Sequence, residues 1–250
     1  MARLLLPDGI AACLFDLDGV ITKTATLHAA AWKQMFDAFL AGGGADTGGD
    51  TRPFELPGDY TAYVDGRLRQ DGVRGFLTSR GIAVPEGAPD DPPTADTVHG
   101  LGTRKNDLFG VVLARDGVEV YDSSVQFVRE ARDAGLRCAV VSASRNCAAL
   151  LDAAGINDLF EVRIDGEVAA ERGLPGKPEP DTFLAAASDL GVAPGSCAVF
   201  EDAVSGVAAG RAGGFGHVVG IDRAGHRDDL LAHGADVVVD DLAELMETSA

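Results

Sequence analysis

The chain has 250 residues, of which 46% are hydrophobic and 24% charged, as in ordinary globular proteins. Its formal net charge is −18, and so acidic a chain is expected to bind neither nucleic acid nor an anionic membrane. No apolar stretch has membrane-spanning length, and the four cysteines lack metal-ligand or redox spacing. We therefore expect a monomeric, cytoplasmic protein with reduced thiols.

The first predicted strand, residues 11–15, ends in two acids, Asp16 and Asp18. A parallel sheet presents its chemistry at the carboxyl ends of its strands, so an acid pair here suggests a site for a cation. The alternative is a plain turn, because Asp-Gly is a common turn dipeptide and Gly19 follows Asp18.

The next hundred residues predict helices and no buried strand. The helices are expected at residues 27–40, 67–80 and 98–115, with Gly/Pro/Asp-rich connections at 41–59 and 83–96. We interpret residues 27–108 as a mostly α-helical cap domain inserted after the first strand, where it could serve as a lid. The role of the long loop 41–59 stays open.

From about residue 135 onward, short apolar strands alternate with helices, which predicts a parallel sheet covered on both faces. The fold class is therefore α/β, with residues 1–26 and 109–250 as the catalytic core. The predicted strands are 136–141, 160–164, 197–200 and 235–239 together with 217–221, and the predicted helices are 147–154, 182–190, 204–212 and 228–232.

Polar residues follow several of these strands. Ser142 comes directly after one strand, Lys177 lies between a glycine and a proline, and Glu201 and Asp202 end another strand. Each has a simpler interpretation: Ser142 as a helix cap, and Lys177 as a solvated surface residue.

Taken together, these strand ends indicate phosphoryl transfer. Asp16 would be the nucleophile, and Asp16, Asp18 and Asp202 would supply oxygen ligands to Mg²⁺. Ser142 and Lys177 would neutralise the phosphoryl oxygens, because two carboxylates alone would repel a phosphate dianion.

The ordered set Asp16-Leu-Asp18, Ser142, Lys177 and Glu201-Asp202 resembles the four motifs of the haloacid dehalogenase superfamily, over nearly the whole chain. The resemblance implies a Rossmann-like core, a helical cap, an aspartyl-phosphate intermediate and Mg²⁺, with Glu201 and Asp202 both among the metal residues.

Four further segments read Asp18-Gly-Val-Ile-Thr22, Gly66-Arg-Leu-Arg69, Arg104-Lys105-Asn106-Asp107 and Ser142-Ala-Ser144-Arg-Asn146. They are similar to the β-phosphoglucomutase branch of that superfamily. The resemblance implies that Asp18 is the general acid/base and that Arg69 holds the phosphate of the sugar that is not transferred. The other substrate-binding residues that the resemblance implies are Thr24, His28, Trp32, Lys105, Asn106, Ala143 and Ser144. His28 and Trp32 could instead pack together on a helix, and Arg69 could pair with Asp65 or Asp71.

Two features depart from the branch: Ala203 stands where it has a serine, and the 41–59 loop is longer. The sequence therefore leaves three functions open. These are a β-phosphoglucomutase that converts β-D-glucose 1-phosphate into glucose 6-phosphate, a sugar-phosphate phosphatase, and a non-catalytic binding protein on the same fold. The last should have lost a nucleophile or metal residue, and none is missing.

Overall fold

A computed structural model describes residues 3–42 and 48–247. The chain divides into two compact units, one of Met1–Lys23 with Val118–Ala250 and the other of Thr24–Gly117. The cap limits expected from the sequence, 27 and 108, stay a prediction about domain organisation.

The first unit is built on strands. In chain order the strands of the described residues are β1 (Arg3–Leu4), β2 (Ala12–Phe15), β3 (Arg137–Val141), β4 (Val162–Ile164), β5 (Cys197–Glu201), β6 (His217–Ile221), β7 (Val237–Val239) and β8 (Met246–Glu247). β1 pairs with β8 in a small antiparallel ribbon. The other six strands form one parallel sheet in the order β4-β3-β2-β5-β6-β7. This order confirms the predicted α/β fold, and it reverses at β2, where sheets of this kind open a crevice at their strand ends.

Helices cover this sheet and make up most of the second unit. In chain order they are α1 (Ala25–Ala41), α2 (Arg69–Ser79), α3 (Val98–Asp116), α4 (Asp122–Asp133), α5 (Cys147–Ala153), α6 (Gly166–Arg172), α7 (Asp181–Leu190), α8 (Val204–Ala212) and α9 (Arg227–Ala232). Within the described residues, none of these helices is long and apolar enough to cross a lipid bilayer.

The central strands are buried on both faces, which explains their unbroken apolar sequences. All four residues of β2 are inaccessible to solvent. Phe15 lies in register with Phe200 of β5, and their rings stack with centroids 4.6 Å apart. The strand ends are therefore held by a rigid core.

The second unit, as far as it is described, has its own core of aromatic side chains from α1, α2 and the segment before a π-helical turn at Tyr60–Val64. Phe36 packs against both Phe54 and Phe76, with ring centroids 5.2 and 4.2 Å away. This arrangement confirms the expected helical insertion.

The predicted loop 41–59 is only partly described. Ala41 ends α1, and residues 43–47 lie outside the described residues. The later part of the loop is fixed by the buried Arg80, whose guanidinium pairs with Asp50 at 3.0 Å and Asp59 at 2.6 Å.

Candidate active site

Asp16 begins a tight turn at the carboxyl end of β2. Its N–H donates to the carbonyl of Phe200 at 3.0 Å, which fixes it beside β5. The carbonyl of Leu17 accepts from Thr22 twice, from the backbone N–H at 2.8 Å and from the side-chain Oγ1 at 3.1 Å. The turn interpretation of the Asp-Gly sequence is thus correct, and it does not compete with a site.

Thr22 was not predicted as a site residue. Its side chain is inaccessible to solvent and closes the turn that carries Asp16 and Asp18. The available signal was a polar residue four positions after Asp18, directly after the apolar pair Val20 and Ile21.

Lys177 joins three strand ends of the sheet. Its ammonium lies 2.5 Å from Oδ1 of Asp16 after β2, donates to the carbonyl of Val141 at the end of β3 at 3.3 Å, and contacts Oε1 of Glu201 at the end of β5. Only 3% of Lys177 is exposed, so its interpretation as a solvated surface residue is wrong.

Burial and neighbouring charge shift the pKa values of Lys177 and Asp16 in opposite directions. Burial alone would lower the pKa of Lys177, but the carboxylates of Asp16 and Glu201 raise it above its usual value, so the ammonium stays protonated. Burial raises the pKa of Asp16, and the charge of Lys177 opposes that rise. Asp16 is thus a desolvated carboxyl group whose ionised form depends on a neighbouring cation.

The two acids after β5 have different surroundings. The Glu201 carboxylate contacts Lys177 through Oε1 and accepts the N–H of Ala203 through Oε2 at 2.9 Å. A carboxylate with both oxygens engaged inside the protein is a poor cation ligand, which argues against the predicted metal role of Glu201.

Asp202 instead lies against the turn that carries Asp18. A Cβ atom added to Gly19 would come within 1.8 Å of Oδ2 of Asp202. Gly19 also has a φ of +88°, which favours glycine. The absence of a side chain at Gly19 therefore allows Asp202 to approach the Asp16–Asp18 turn.

The Ser142 loop follows β3 at the same edge of the sheet. The Oγ of Ser142 accepts the N–H of Ser144 at 3.1 Å, and α5 begins only at Cys147, so Ser142 is not a helix cap. A Cβ on Gly166 would come within 2.6 Å of the Ala143 carbonyl, so the start of α6 presses on this loop.

The predicted substrate residues of the helical unit form a second polar cluster. Nζ of Lys105 lies 2.5 Å from Nδ1 of His28 and 5.1 Å from the ring centroid of Trp32. The His28 ring stacks on Phe109 at 4.0 Å, whereas Trp32 stacks on Phe36. Because an ammonium only donates, Nδ1 of His28 accepts and its proton is on Nε2.

Arg69 belongs to the same unit. It donates from Nη2 to Oδ1 of Asn106 at 3.0 Å, while Asp71 accepts from Arg74. Thr24, the first residue of this unit, is buried just before α1. Four of the predicted substrate residues, His28, Trp32, Lys105 and Asn106, thus lie on facing stretches of α1 and α3.

The carboxylates of Asp16, Asp18 and Asp202 fit a hard divalent cation such as Mg²⁺. Within residues 3–42 and 48–247, no three acidic, histidine or cysteine side chains form a preformed metal cage. Mg²⁺ does not need one, since it keeps several waters and binds through one or two carboxylates plus substrate phosphates. The all-oxygen donor set of Asp16, Asp18 and Asp202 suits this ion.

The α/β core, its acid–lysine centre and the helical insertion define the class of protein, which is a phosphoryl-transfer enzyme. Residues 10–214 match the family model described as haloacid dehalogenase-like hydrolase, and the chain belongs to this family.

Three of the proteins similar to this chain are a mycobacterial relative and two solved structures. The "Beta-phosphoglucomutase" of Mycobacterium tuberculosis is 53% identical over 244 residues, which is 96% of this chain and 93% of that protein. The crystal structure of β-phosphoglucomutase from Clostridium difficile superposes with a TM-score of 0.72 at 23% identity, covering 94% of this chain and 93% of that one. CbbY from Rhodobacter sphaeroides in complex with phosphate gives 0.69 at 26% identity, covering 94% and 96%.

Proposed function

We propose that the protein is a β-phosphoglucomutase, which interconverts β-D-glucose 1-phosphate and glucose 6-phosphate through a phosphorylated Asp16. The observation that carries the substrate is the 53% identity, over 96% of the chain, to a protein of that name. The chemistry is supported by Asp16 and Lys177, which are paired at the end of a central strand.

In the first half-reaction, a carboxylate oxygen of Asp16 forms a bond to the phosphorus of a sugar bisphosphate. The bond from phosphorus to the sugar oxygen breaks, and Asp18 donates a proton to that oxygen. In the second half-reaction a hydroxyl of the incoming sugar monophosphate attacks the same phosphorus. Asp18 accepts the hydroxyl proton, and the Asp16 carboxylate is released.

Charge neutralisation is assigned to Lys177 and Ser142. The ammonium of Lys177 is held by Glu201 and the Val141 carbonyl, so it is already oriented when charge spreads over the phosphoryl oxygens. Ser142 adds a hydroxyl donor and Ala143 adds a backbone N–H group from its loop. The N–H of Ser144 donates to Oγ of Ser142 and so orients that hydroxyl. Such preorganised donors cost no rearrangement during the reaction.

Asp16, Asp18 and Asp202 are proposed to hold Mg²⁺. When bound, the ion supplies the positive charge that lets an anionic carboxylate approach an anionic phosphate. Glu201 is not included, because its two oxygens hold Lys177 and the Ala203 N–H.

The phosphate group of the sugar that is not transferred needs positively charged side chains of its own. Arg69, supported by Asn106, is proposed to bind the phosphate that is not transferred, since a guanidinium matches phosphate geometry. Lys105, which directly precedes Asn106, adds a positive charge. His28 offers an Nε2–H donor to the substrate. Thr24 and Trp32 complete the proposed substrate residues of the helical unit.

We also propose where the protein acts and what it binds. The four cysteines are buried and unbridged, as expected for a reducing cytoplasm. We propose a monomer with a phosphorylated sugar as its substrate and with no nucleic acid or membrane partner.

The test is an assay with β-D-glucose 1-phosphate, MgCl₂ and a trace of the 1,6-bisphosphate, in which glucose 6-phosphate and inorganic phosphate are measured in the same sample. We expect glucose 6-phosphate to exceed phosphate. Phosphate release without glucose 6-phosphate would reject the mutase in favour of the phosphatase.

Asp16→Asn separates the catalytic proposal from the substrate. It should lower both products on the order of 10⁴-fold or more, because the nucleophile is lost. Asp8→Asn, at an exposed position, is the matched control and should leave turnover unchanged. Equal activity of Asp16→Asn and the wild type would revive the non-catalytic interpretation.

A further inference from the structure

The segment between β6 and α9, residues 222–226, carries no predicted site residue, yet it contacts both acid-bearing turns of the candidate active site. It lies at the carboxyl end of β6, which pairs with β5 so that Gly220 is opposite Glu201. Its side chains are therefore at the same edge of the sheet as Asp16 and Asp202.

The segment is fixed by its own hydrogen bonds. Oδ1 of Asp222 accepts the N–H of Gly225 at 2.6 Å and that of His226 at 2.9 Å. The Asp222 N–H donates to the carbonyl of Val239 on β7 at 2.8 Å. The loop is thus folded over Asp222 and tied to the next strand, so its side chains project from a rigid base.

Arg223 reaches the first acid-bearing turn. Its Nε–H donates to the carbonyl of Gly19 at 2.9 Å, and its Nη1 donates to the carbonyl of Asp240 at 2.8 Å. The guanidinium also lies 3.7 Å from the ring centroid of Tyr121. These contacts leave Arg223 little freedom, and they hold the residue that follows Asp18.

His226 reaches the second turn. Its Nε2 lies 3.0 Å from the carbonyl oxygen of Asp202. A carbonyl oxygen only accepts, so Nε2 carries the proton and donates. One short segment thus holds the main chain of Gly19 and of Asp202.

These two held residues are in direct contact with each other. The carboxylate of Asp202 occupies the space that a Cβ of Gly19 would fill. A shift of either main chain therefore changes the distance between the carboxylates of Asp18 and Asp202.

We propose that Arg223 and His226 are positioning residues that set the spacing of the Asp18 and Asp202 carboxylates for a divalent cation. The inference rests on the proposed function only in taking those carboxylates as the Mg²⁺ ligands. Partners that orient metal ligands commonly change metal affinity by about 10- to 100-fold when removed.

The experiment measures Mg²⁺ binding to the whole protein by calorimetric titration with MgCl₂ and no substrate. Arg223→Met and His226→Leu should each weaken binding by about 10- to 100-fold. His226→Gln keeps an N–H at a similar reach and should bind within about threefold of the wild type.

Arg227→Met is the matched control. Like Arg223, Arg227 of the adjoining helix α9 donates to a main-chain carbonyl, in this case that of Val238. Its other contact is from Nη2 to Oδ1 of Asp240 at 2.5 Å, so it holds neither acid-bearing turn. It should bind Mg²⁺ like the wild type. Urea unfolding of every variant checks that the binding differences come from folded protein.

The outcomes separate this inference from the proposed function. Wild-type Mg²⁺ affinity in both Arg223→Met and His226→Leu overturns the positioning roles. An equal loss of Mg²⁺ affinity in the control Arg227→Met does so too, as does a His226→Gln variant that binds Mg²⁺ no better than His226→Leu. If the wild type binds Mg²⁺ and the variants lose it, but no glucose 6-phosphate forms, the positioning roles stand and the mutase proposal falls. A wild type that binds no Mg²⁺ overturns the positioning roles, and the mutase proposal is then decided by the glucose 6-phosphate assay alone.

Discussion

Lys177 shows how a single residue organises this site. A buried ammonium is stable only when its charge and its three donors are satisfied, and here two carboxylates and a main-chain carbonyl do so. The three acceptors lie at the ends of three different strands. The same contacts that keep Lys177 charged therefore fix the separation of the strand ends.

Gly19 offers a sharp test at the residue scale. Gly19→Ala would place a Cβ 1.8 Å from Asp202, so the carboxylate must move. We expect a fall in kcat on the order of 10²-fold, because a displacement of about 1 Å at a catalytic group has effects of that size. Glucose 6-phosphate formation measures it.

Gly9→Ala is the control for backbone strain. Gly9 has a φ of +91°, close to the +88° of Gly19, but a Cβ there meets nothing within 4 Å. Both variants should lose stability in urea through backbone strain, with the larger loss in Gly19→Ala because its Cβ also meets Asp202. Only Gly19→Ala should lose turnover. An equal kcat in the two variants would contradict a role for the Gly19–Asp202 contact.

Site residues that follow apolar strands could be predicted from the sequence. A parallel sheet presents its chemistry at the carboxyl ends of its strands, and the apolar pattern alone shows where those strands end. It located Asp16, Ser142 and the acid pair after β5. Lys177 lies in the loop after α6 and was predicted instead from its place between a glycine and a proline. The pattern could not separate Glu201 from Asp202, since neighbouring side chains of an extended chain point in opposite directions. Which of the two faces the lysine depends on the packing of β5 within the sheet.

At the scale of elements, two helical glycines should respond oppositely to alanine. Gly110 is exposed in α3 and a Cβ there meets nothing within 4 Å, so Gly110→Ala should stabilise the protein by about 0.5–1 kcal/mol. Gly206 lies in α8, where a Cβ would come within 1.9 Å of Oε1 of Glu201. Gly206→Ala should destabilise it, because Glu201 must leave Lys177.

Urea unfolding of both variants checks this pair. The free energy of unfolding should rise in one variant and fall in the other, although both gain the same helix propensity. A gain in both would mean that Glu201 can turn away from α8 at no cost.

The length of a helix did not decide whether it was predicted. The helix predicted at residues 98–115 is α3, Val98–Asp116, whereas no helix was predicted at residues 122–133 and 166–172, which form α4 and α6. α4 has 12 residues and buries Val125, Val128 and Ala131 at helical spacing, so its pattern was present in the sequence. The seven-residue α6 owes its stability to tertiary packing, which a local pattern does not contain. The strand predicted at 160–164 begins only at Val162, because a 3₁₀ turn, Asn157–Leu159, ends just before it.

At the scale of the whole molecule, the net charge of −18 dominates the electrostatics. If every one of the 21 basic residues were paired with an acid, 18 of the 39 acids would still have no basic partner. Their mutual repulsion opposes the compact state and is screened by salt over about 10 Å at 0.1 M. Exposed ion pairs such as Arg172–Asp189 are also screened, but each contributes little.

We therefore expect the melting temperature to rise when NaCl is increased from about 20 to 300 mM, on the order of 2 °C for a gain of roughly 0.5–1 kcal/mol. Differential scanning calorimetry at constant pH, without divalent ions, measures this rise. KCl at the same ionic strength should give the same shift, because screening does not depend on the identity of the monovalent cation. A melting temperature that falls with salt would mean that ion pairs such as those of Arg80 with Asp50 and Asp59 outweigh the repulsion among the unpaired acids.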